Sequence, residues 1–205
     1  MSVAAKYQET ITLPGAVRFP VELLPPEGFD PGRLETWPRV AGRLEYVAGR
    51  LLFMPPCGDV QQDVISDVVI ALGSWVRSAH GEGFVLGSNE AGMRLGGSTR
   101  AADAAIWRRA DIGLRTGGLR RHPPVLAVEV AGRDDTEAGL RDKARWYLDV
   151  GVGLVWLVLP DTRVTIVITG ENETRYGMGE RLPEHPSLPG LSPRVEDFFV
   201  QLAEP

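Results

Sequence analysis

V-L-A-V-E-V, residues 125–130, is the stretch whose reading decides the fold. It is a continuous apolar run broken by one charge, Glu129. A run of this kind reads as a central strand covered on both faces, because a half-solvated strand would alternate. Downstream, Asp134 with Glu137 three positions on forms a capping-box variant and predicts a helix start. Leu140, Ala144, Tyr147 and Leu148 form that helix's inner stripe, and Gly151 closes it. L-V-W-L-V-L, residues 154–159, reads as another buried strand, and Pro160-Asp161-Thr162 turns it into R-V-T-I-V-I-T, residues 163–169. The polar, proline-broken tail then reaches V-E-D-F-F-V, residues 195–200, a short docking helix.

Upstream, A-A-D-A-A-I-W, residues 101–107, reads as a strand although alanine is a weak strand former. Residues 83–88 and 93–95 are two further strand pieces. Val60, Val64, Val68, Leu72, Trp75, Val76 and Ala79 recur at helical spacing, with Asp59 as cap and His80-Gly81 as stop. L-E-Y-V-A-G-R-L-L-F-M, residues 44–54, reads as a hairpin around Ala48-Gly49. Residues 1–40, rich in proline, read as an extension packed on a single domain of residues 41–205, or as an oligomer contact. The order predicts an α/β fold: a mixed sheet flanked by helices, with an N-terminal hairpin extension.

A chain of 205 residues suits one domain, which buries roughly 70% of its unfolded surface. A formal net charge of −5 argues against a protein that coats nucleic acid, but leaves room for a local basic groove. Cys57 is the only cysteine, so an intrachain disulfide and a cysteine zinc site are excluded. The N-terminus lacks the apolar stretch of a signal peptide, and no run approaches a membrane span. A cytoplasmic location is therefore expected.

Asp103, Glu129 and Lys143 are charged residues where the surrounding pattern is apolar or marginal. An ionised carboxylate in a buried strand is costly unless paired or metal-bound. By strand alternation Asp103 shares a face with Ala105 and Trp107, and Glu129 with Val125 and Ala127. If the two strands pair, their carboxylates have the ligand count that Mg²⁺ or Mn²⁺ accepts. Lys143 lies on the shoulder of its helix's apolar stripe, where it can reach the sheet, snorkel to solvent or merely pair with Glu129. Glu45 is a possible further acidic member or a solvent-facing strand residue. Arg108, Arg109, Arg115, Arg120 and Arg121 form a loop that suits a phosphate backbone, or simply a solvated loop. His80, His122 and His185 show no ligand spacing.

In order, L-E-Y-V-A-G-R-L-L-F-M-P-P, A-A-D, V-L-A-V-E-V, L-R-D-K-A-R-W-Y-L-D-V-G-V-G-L-V-W-L-V and L-P-G-L-S-P-R-V-E-D-F-F resemble the putative restriction endonuclease family of the PD-(D/E)XK nuclease superfamily. The resemblance implies an αβββαβ restriction-endonuclease-like core and a metal-dependent nuclease. Asp103 matches the family's first aspartate, Glu129 its glutamate and Lys143 a lysine on the following helix; Glu45 matches an acidic residue of the early hairpin. The chain departs from the pattern at Ala102, which replaces a proline, and at A-G-R, residues 131–133, which replaces S-P-S. Gln61, Gln62 and Asp63 stand where a histidine is common.

The resemblance implies a Mg²⁺- or Mn²⁺-dependent endonuclease acting on DNA, with Asp103 and Glu129 on the metal and Lys143 positioning water. A homodimer would suit cleavage of both strands. The rival is a catalytically degenerate member, a binding or assembly module whose charged cluster is a buried salt-bridge network. A metal-independent acid–base hydrolase is the third reading.

Overall fold

The chain is described by a computed structural model over residues 19–203. Two strands of the early region, β1 (Val21–Leu23) and β2 (Arg43–Val47), are followed by β3 (Arg50–Met54) and helix α1 (Asp59–Val76). Then come β4 (Phe84–Leu95), β5 (Ser98–Arg108), β6 (Leu126–Val130) and helix α2 (Glu137–Asp149). β7 (Leu154–Leu159), β8 (Val164–Thr169) and β9 (Asn172–Tyr176) complete the strands. Among the described residues these nine strands form one sheet, ordered β1-β3-β2-β5-β6-β7-β8-β9, with β4 against β5.

V-L-A-V-E-V is a central strand. All five residues of β6 are buried, between antiparallel β5 and parallel β7. Helix α2 is the crossover that the parallel pair requires. The α1 side of the sheet is apolar: Val64, Val68, Leu72 and Trp75 pack on Ile106, Val128 and Trp156. On the other side Leu140, Ala144 and Tyr147 of α2 pack with Ala105, Ala127 and Leu157. Val125 lies just before β6 and packs with the α1-side cluster, not on the face of Ala127.

Several boundaries differ from expectation for local reasons. Residues 83–88 and 93–95 are one strand, β4, interrupted by a bulge at Asn89 and Glu90, both left-handed at φ 55° and 61°. Helix α2 starts at Glu137, capped by Thr136 rather than Asp134: the Thr136 Oγ1 accepts from Gly139 N at 3.1 Å. Asp135 is used earlier, in a turn that bonds Gly132 N. Gly58 rather than Asp59 is the N-cap of α1, and Val60 is exposed while Gln61 takes the buried position. β9 was not foreseen, because N-E-T-R-Y has no apolar alternation; it continues the sheet past β8 as a second hairpin.

The Ala48-Gly49 hairpin forms as read, with φ 50° and 85°, the double left-handed turn that matches strand twist. The V-E-D-F-F-V segment is two 3₁₀ turns, Val195–Phe198 and Val200–Leu202, rather than one helix. They dock on α1, where the buried Asp67 carboxylate accepts from Gln201 N at 2.9 Å. Of the proline-rich extension, residues 1–18 lie outside the described residues. Its remainder touches the sheet: β1 pairs with β3, the Phe29 ring lies 5.6 Å from that of Tyr46, and Pro31 O accepts from Thr99 Oγ1.

Candidate active site

The site lies where the sheet forks. β4 runs along the full length of one edge of β5. The other edge is shared: β2 pairs with it at Thr99, and β6 takes over at Ala104. Between them, among the described residues, the backbone of residues 100–103 has no strand partner on that edge. A buried backbone polar group needs some partner. Charged side chains supply it: Ala101 N donates to Glu45 Oε1 at 3.3 Å, and Ala101 O accepts from Lys143 Nζ at 3.1 Å.

Continuing the β5–β6 register by one residue from Ala104 and Val128 sets Asp103 opposite Glu129. The ladder ends there because Asp103 enters it: its Oδ2 accepts from Val130 N at 2.8 Å. Val130 O is taken by Gln61 Nε2 of α1, also at 2.8 Å. Both backbone groups at the end of β6 are thus held by buried side chains, which fixes the strand that carries Glu129.

Glu129 is the most enclosed of the three carboxylates, 3% exposed. Its Oε2 accepts from Lys143 Nζ at 2.7 Å, and its Oε1 from the Tyr147 hydroxyl at 2.6 Å. Lys143 and Tyr147 are four apart on α2, so one turn of helix delivers both to the same carboxylate. Lys143 Nζ also pairs with Glu45 Oε1 at 3.3 Å. Arg43 Nη1 stands 3.5 Å from Asp103 Oδ1, and Arg100 Nη1 stands 3.8 Å from Glu45 Oε2. Arg100 is also stacked over Trp146, 5.0 Å from the ring centroid.

Burial dominates the electrostatics. It raises the Glu129 carboxyl to about 7, against the opposing charge of Lys143, and the neighbouring Asp103 adds to the rise. Burial also raises Asp103, with Lys143 and the Val130 amide pulling the other way. Burial alone would lower Lys143, but Glu129, Glu45 and Asp103 outweigh it and hold the ammonium protonated well above its ordinary range. Tyr147 is raised by burial and by Glu129, so it is a neutral donor.

The structure brings together Asp103, Glu129, Lys143 and Glu45. Glu45 is a buried member, 5% exposed, and not a solvent-facing strand residue. The arginine loop divides. Arg120 lies over Trp107 and bridges to Met93, and Arg121 donates to Gly32 O, so both serve the fold. Arg108, Arg109 and Arg115 are exposed. Sequence reasoning missed Arg43, Glu90 and the role of Tyr147. Arg43 had a signal, since it lies two residues before Glu45 on one strand face. Glu90 had none, because only the β4 bulge places it beside the fork.

Among the described residues no three His, Cys, Asp or Glu side chains converge as a metal-binding group. Magnesium needs fewer, since one or two carboxylates with waters suffice. Asp103 Oδ1 accepts no hydrogen bond from the described residues, and each Glu129 oxygen accepts one and keeps a lone pair. The donor set fits one hard divalent cation, for which Asp103 and Glu129 would be the protein ligands.

Among solved structures, the chain is similar to a protein described as a putative nuclease belonging to DUF820 from Anabaena variabilis. The TM-score is 0.71 at 18% identity, covering 82% of this chain and 96% of that one. That likeness shows the fold. No curated protein matches the chain. The sequence pattern of the Uma2 family, described as putative restriction endonuclease, matches residues 32–198. With the match covering most of its length, the chain belongs to the Uma2 putative restriction endonuclease family.

Proposed function

We propose that this protein is a Mg²⁺- or Mn²⁺-dependent endonuclease that hydrolyses phosphodiester bonds of DNA. One observation carries the reading: Asp103 and Glu129 are buried opposite each other at the fork, with Lys143 Nζ 2.7 Å from the glutamate. Two buried carboxylates beside a lysine are costly to maintain as a structural device, and they suit hydrolysis at a hard cation. Membership of a nuclease family and the likeness to a nuclease-like fold support it.

Asp103 and Glu129 would hold the metal, which when bound supplies a Lewis acid for a phosphoryl oxygen and a water of lowered pKa. Val130 N orients Asp103, and the Tyr147 hydroxyl orients Glu129. Lys143 spends two of its three N–H donors on Ala101 O and Glu129 Oε2. The third would turn from Glu45 Oε1, 3.3 Å away, to a substrate oxygen or the attacking water, where a fixed ammonium stabilises developing negative charge. Arg108, Arg109 and Arg115 are assigned to the phosphate backbone, and the active form is a homodimer in the cytoplasm. Residues 41–205 form the nuclease domain, with 1–40 as its extension.

The test is cleavage of supercoiled plasmid DNA with and without Mn²⁺. Asp103→Asn and Glu129→Gln should each lower metal-stimulated cleavage by at least two orders of magnitude, with far-UV circular dichroism unchanged. Cleavage that survives both substitutions, or that ignores EDTA, sinks the reading.

A second reading has its own observation. Glu45, Asp103 and Glu129 are matched inside the protein by Arg43, Arg100 and Lys143. A cluster neutral without metal suits a degenerate, non-catalytic binding or assembly module. Mn²⁺ that fails to raise the thermal stability of the wild type would favour it.

A further inference from the structure

The cations of the cluster are not held alike. Lys143 makes hydrogen bonds at 2.7 and 3.1 Å. Arg43 makes none to the carboxylates around it. Its Nη1 is 3.5 Å from Asp103 Oδ1, its Nε is 3.8 Å from Glu90 Oε1, and that Nε is buried without a hydrogen-bond partner among the described residues. These lengths exceed hydrogen-bond range, so charge and the packing of its stem, not hydrogen bonds to these carboxylates, keep the guanidinium in place. An unsatisfied buried donor adds a cost of about 1–3 kcal/mol that a better position would relieve. The side chain is 23% exposed, so it has a short route to water.

The oxygen that Arg43 faces is Asp103 Oδ1, the one oxygen of that carboxylate without a hydrogen bond from the described residues. It is also the oxygen most available to a divalent cation. Three buried carboxylates, Glu45, Asp103 and Glu129, already face three basic side chains, with the more exposed Glu90 at the rim beside Arg43. A divalent ion entering this set leaves surplus positive charge in a poorly solvated place, unless a cation departs. Lys143 is anchored by hydrogen bonds; Arg100 also has a buried Nε without a hydrogen-bond partner among the described residues, but it is stacked over Trp146 and faces Glu45 rather than Asp103. Arg43 stands at Asp103 and has no aromatic stack among the described residues, so it is the cation placed to leave. Glu90 sits in the left-handed bulge of β4, beside the route.

We propose that Arg43 is the resident counter-cation of Asp103, and that a divalent metal ion has to displace it to bind. The protein thereby carries a built-in competitor for its own metal, which weakens metal binding until the guanidinium swings out. Once released, Arg43 offers five donors at the mouth of the site, a geometry suited to a phosphate oxygen. This inference rests on the metal-dependent reading above.

The experiment is a Mn²⁺ titration by isothermal calorimetry of the wild-type protein, Arg43→Gln, Arg43→Lys and Asp103→Asn at one ionic strength. Arg43→Gln should bind Mn²⁺ at least tenfold more tightly than wild type. Arg43→Lys keeps a charge but loses the planar fork between Asp103 and Glu90, and should fall between. It stands in for Arg43→Gln should that variant not fold, with tightening over wild type still expected. Asp103→Asn should remove binding. Equal or weaker binding by both Arg43 variants, with Mn²⁺ still bound by wild type, overturns the competitor role and leaves the metal-dependent reading standing. Absence of Mn²⁺ binding in wild type and in both Arg43 variants overturns both.

Discussion

Helix α2 carries two charge networks, one on each side. On its inner side Lys143 meets Glu129 at 2.7 Å, with side chains 12% and 4% exposed. On its outer side Arg141 meets Glu173 at 2.8 Å with 31% and 34% exposed, and Arg175 of β9 reaches back to Glu137. The bond lengths are nearly the same and the energetics are not. In high dielectric the outer pairs are screened, and the side-chain order they require offsets most of their attraction. The inner pair has lost its water, so its attraction is strong, and the cost of leaving either partner alone is stronger still. Distance therefore says little about a salt bridge until its surroundings are known. The inner network is the one suited to chemistry: burial there raises the Glu129 carboxyl to about 7, whereas the outer carboxylates of Glu137 and Glu173 are lowered by their arginine partners and stay ionised.

The contrast breaks most directly through Lys143. Lys143→Ala leaves Glu129 buried against Asp103 with its counter-charge gone, and should lower the unfolding free energy by about 3–5 kcal/mol. Urea denaturation at pH 7.5 measures it. Combining Lys143→Met with Glu129→Gln removes both charges and should recover most of that loss. A single-variant loss below about 1 kcal/mol would place the inner pair in the same class as the outer one.

A second test uses pH. The Glu129 carboxyl lies at about 7 in the folded chain, against 4.5 ordinarily. Between those values the folded state keeps a proton that the unfolded state has lost. Its bound protons exceed those of the unfolded state, so the stability contributed by this group is full below 4.5, falls as pH rises and levels off above 7. The stability of wild type minus that of Glu129→Gln should decline across this window. A difference that stays flat from pH 4.5 to 7 would mean that Glu129 ionises as freely as an exposed residue.

The smallest effect belongs to the outer face. Arg141→Ala breaks contacts to Glu137 and Glu173 that are all about one-third exposed, and should cost below ~1 kcal/mol. At 1 M salt, where the screening length falls to roughly 3 Å, that cost should shrink towards zero. A loss that is large and indifferent to salt would show that the α2–β9 contact is a structural joint.

Much of the frame was legible in the chain. The apolar runs at 125–130, broken only by Glu129, and at 154–159 demanded two-sided burial, and a stripe of Leu140, Ala144 and Tyr147 required a helix between them. Asp103, Glu129 and Lys143 stood out because ionised groups in such patterns need partners. The polar edge strand β9 was not legible, since its pairing with β8 comes from the backbone and leaves no mark of alternation. Nor was the start of α2, where two aspartates and a threonine compete to cap and the turn at Gly132 assigns Asp135 elsewhere.

The candidate site divides in the same way. Local pattern, which follows from periodicity along one segment, marked which residues were out of place. It could not say which of them meet, because partners 27 to 56 residues apart are set by strand register and by the fork in the sheet. Thus the chain alone determined most of the elements, their order and the acidic–acidic–lysine set. Only the tertiary structure decided that Glu45 turns inward, that Tyr147 and Gln61 brace the glutamate's strand, and that Arg43 stands at Asp103. Those outcomes depend on where β2 leaves β5 and β6 takes its place, a matter of long-range packing that no single stretch of sequence encodes.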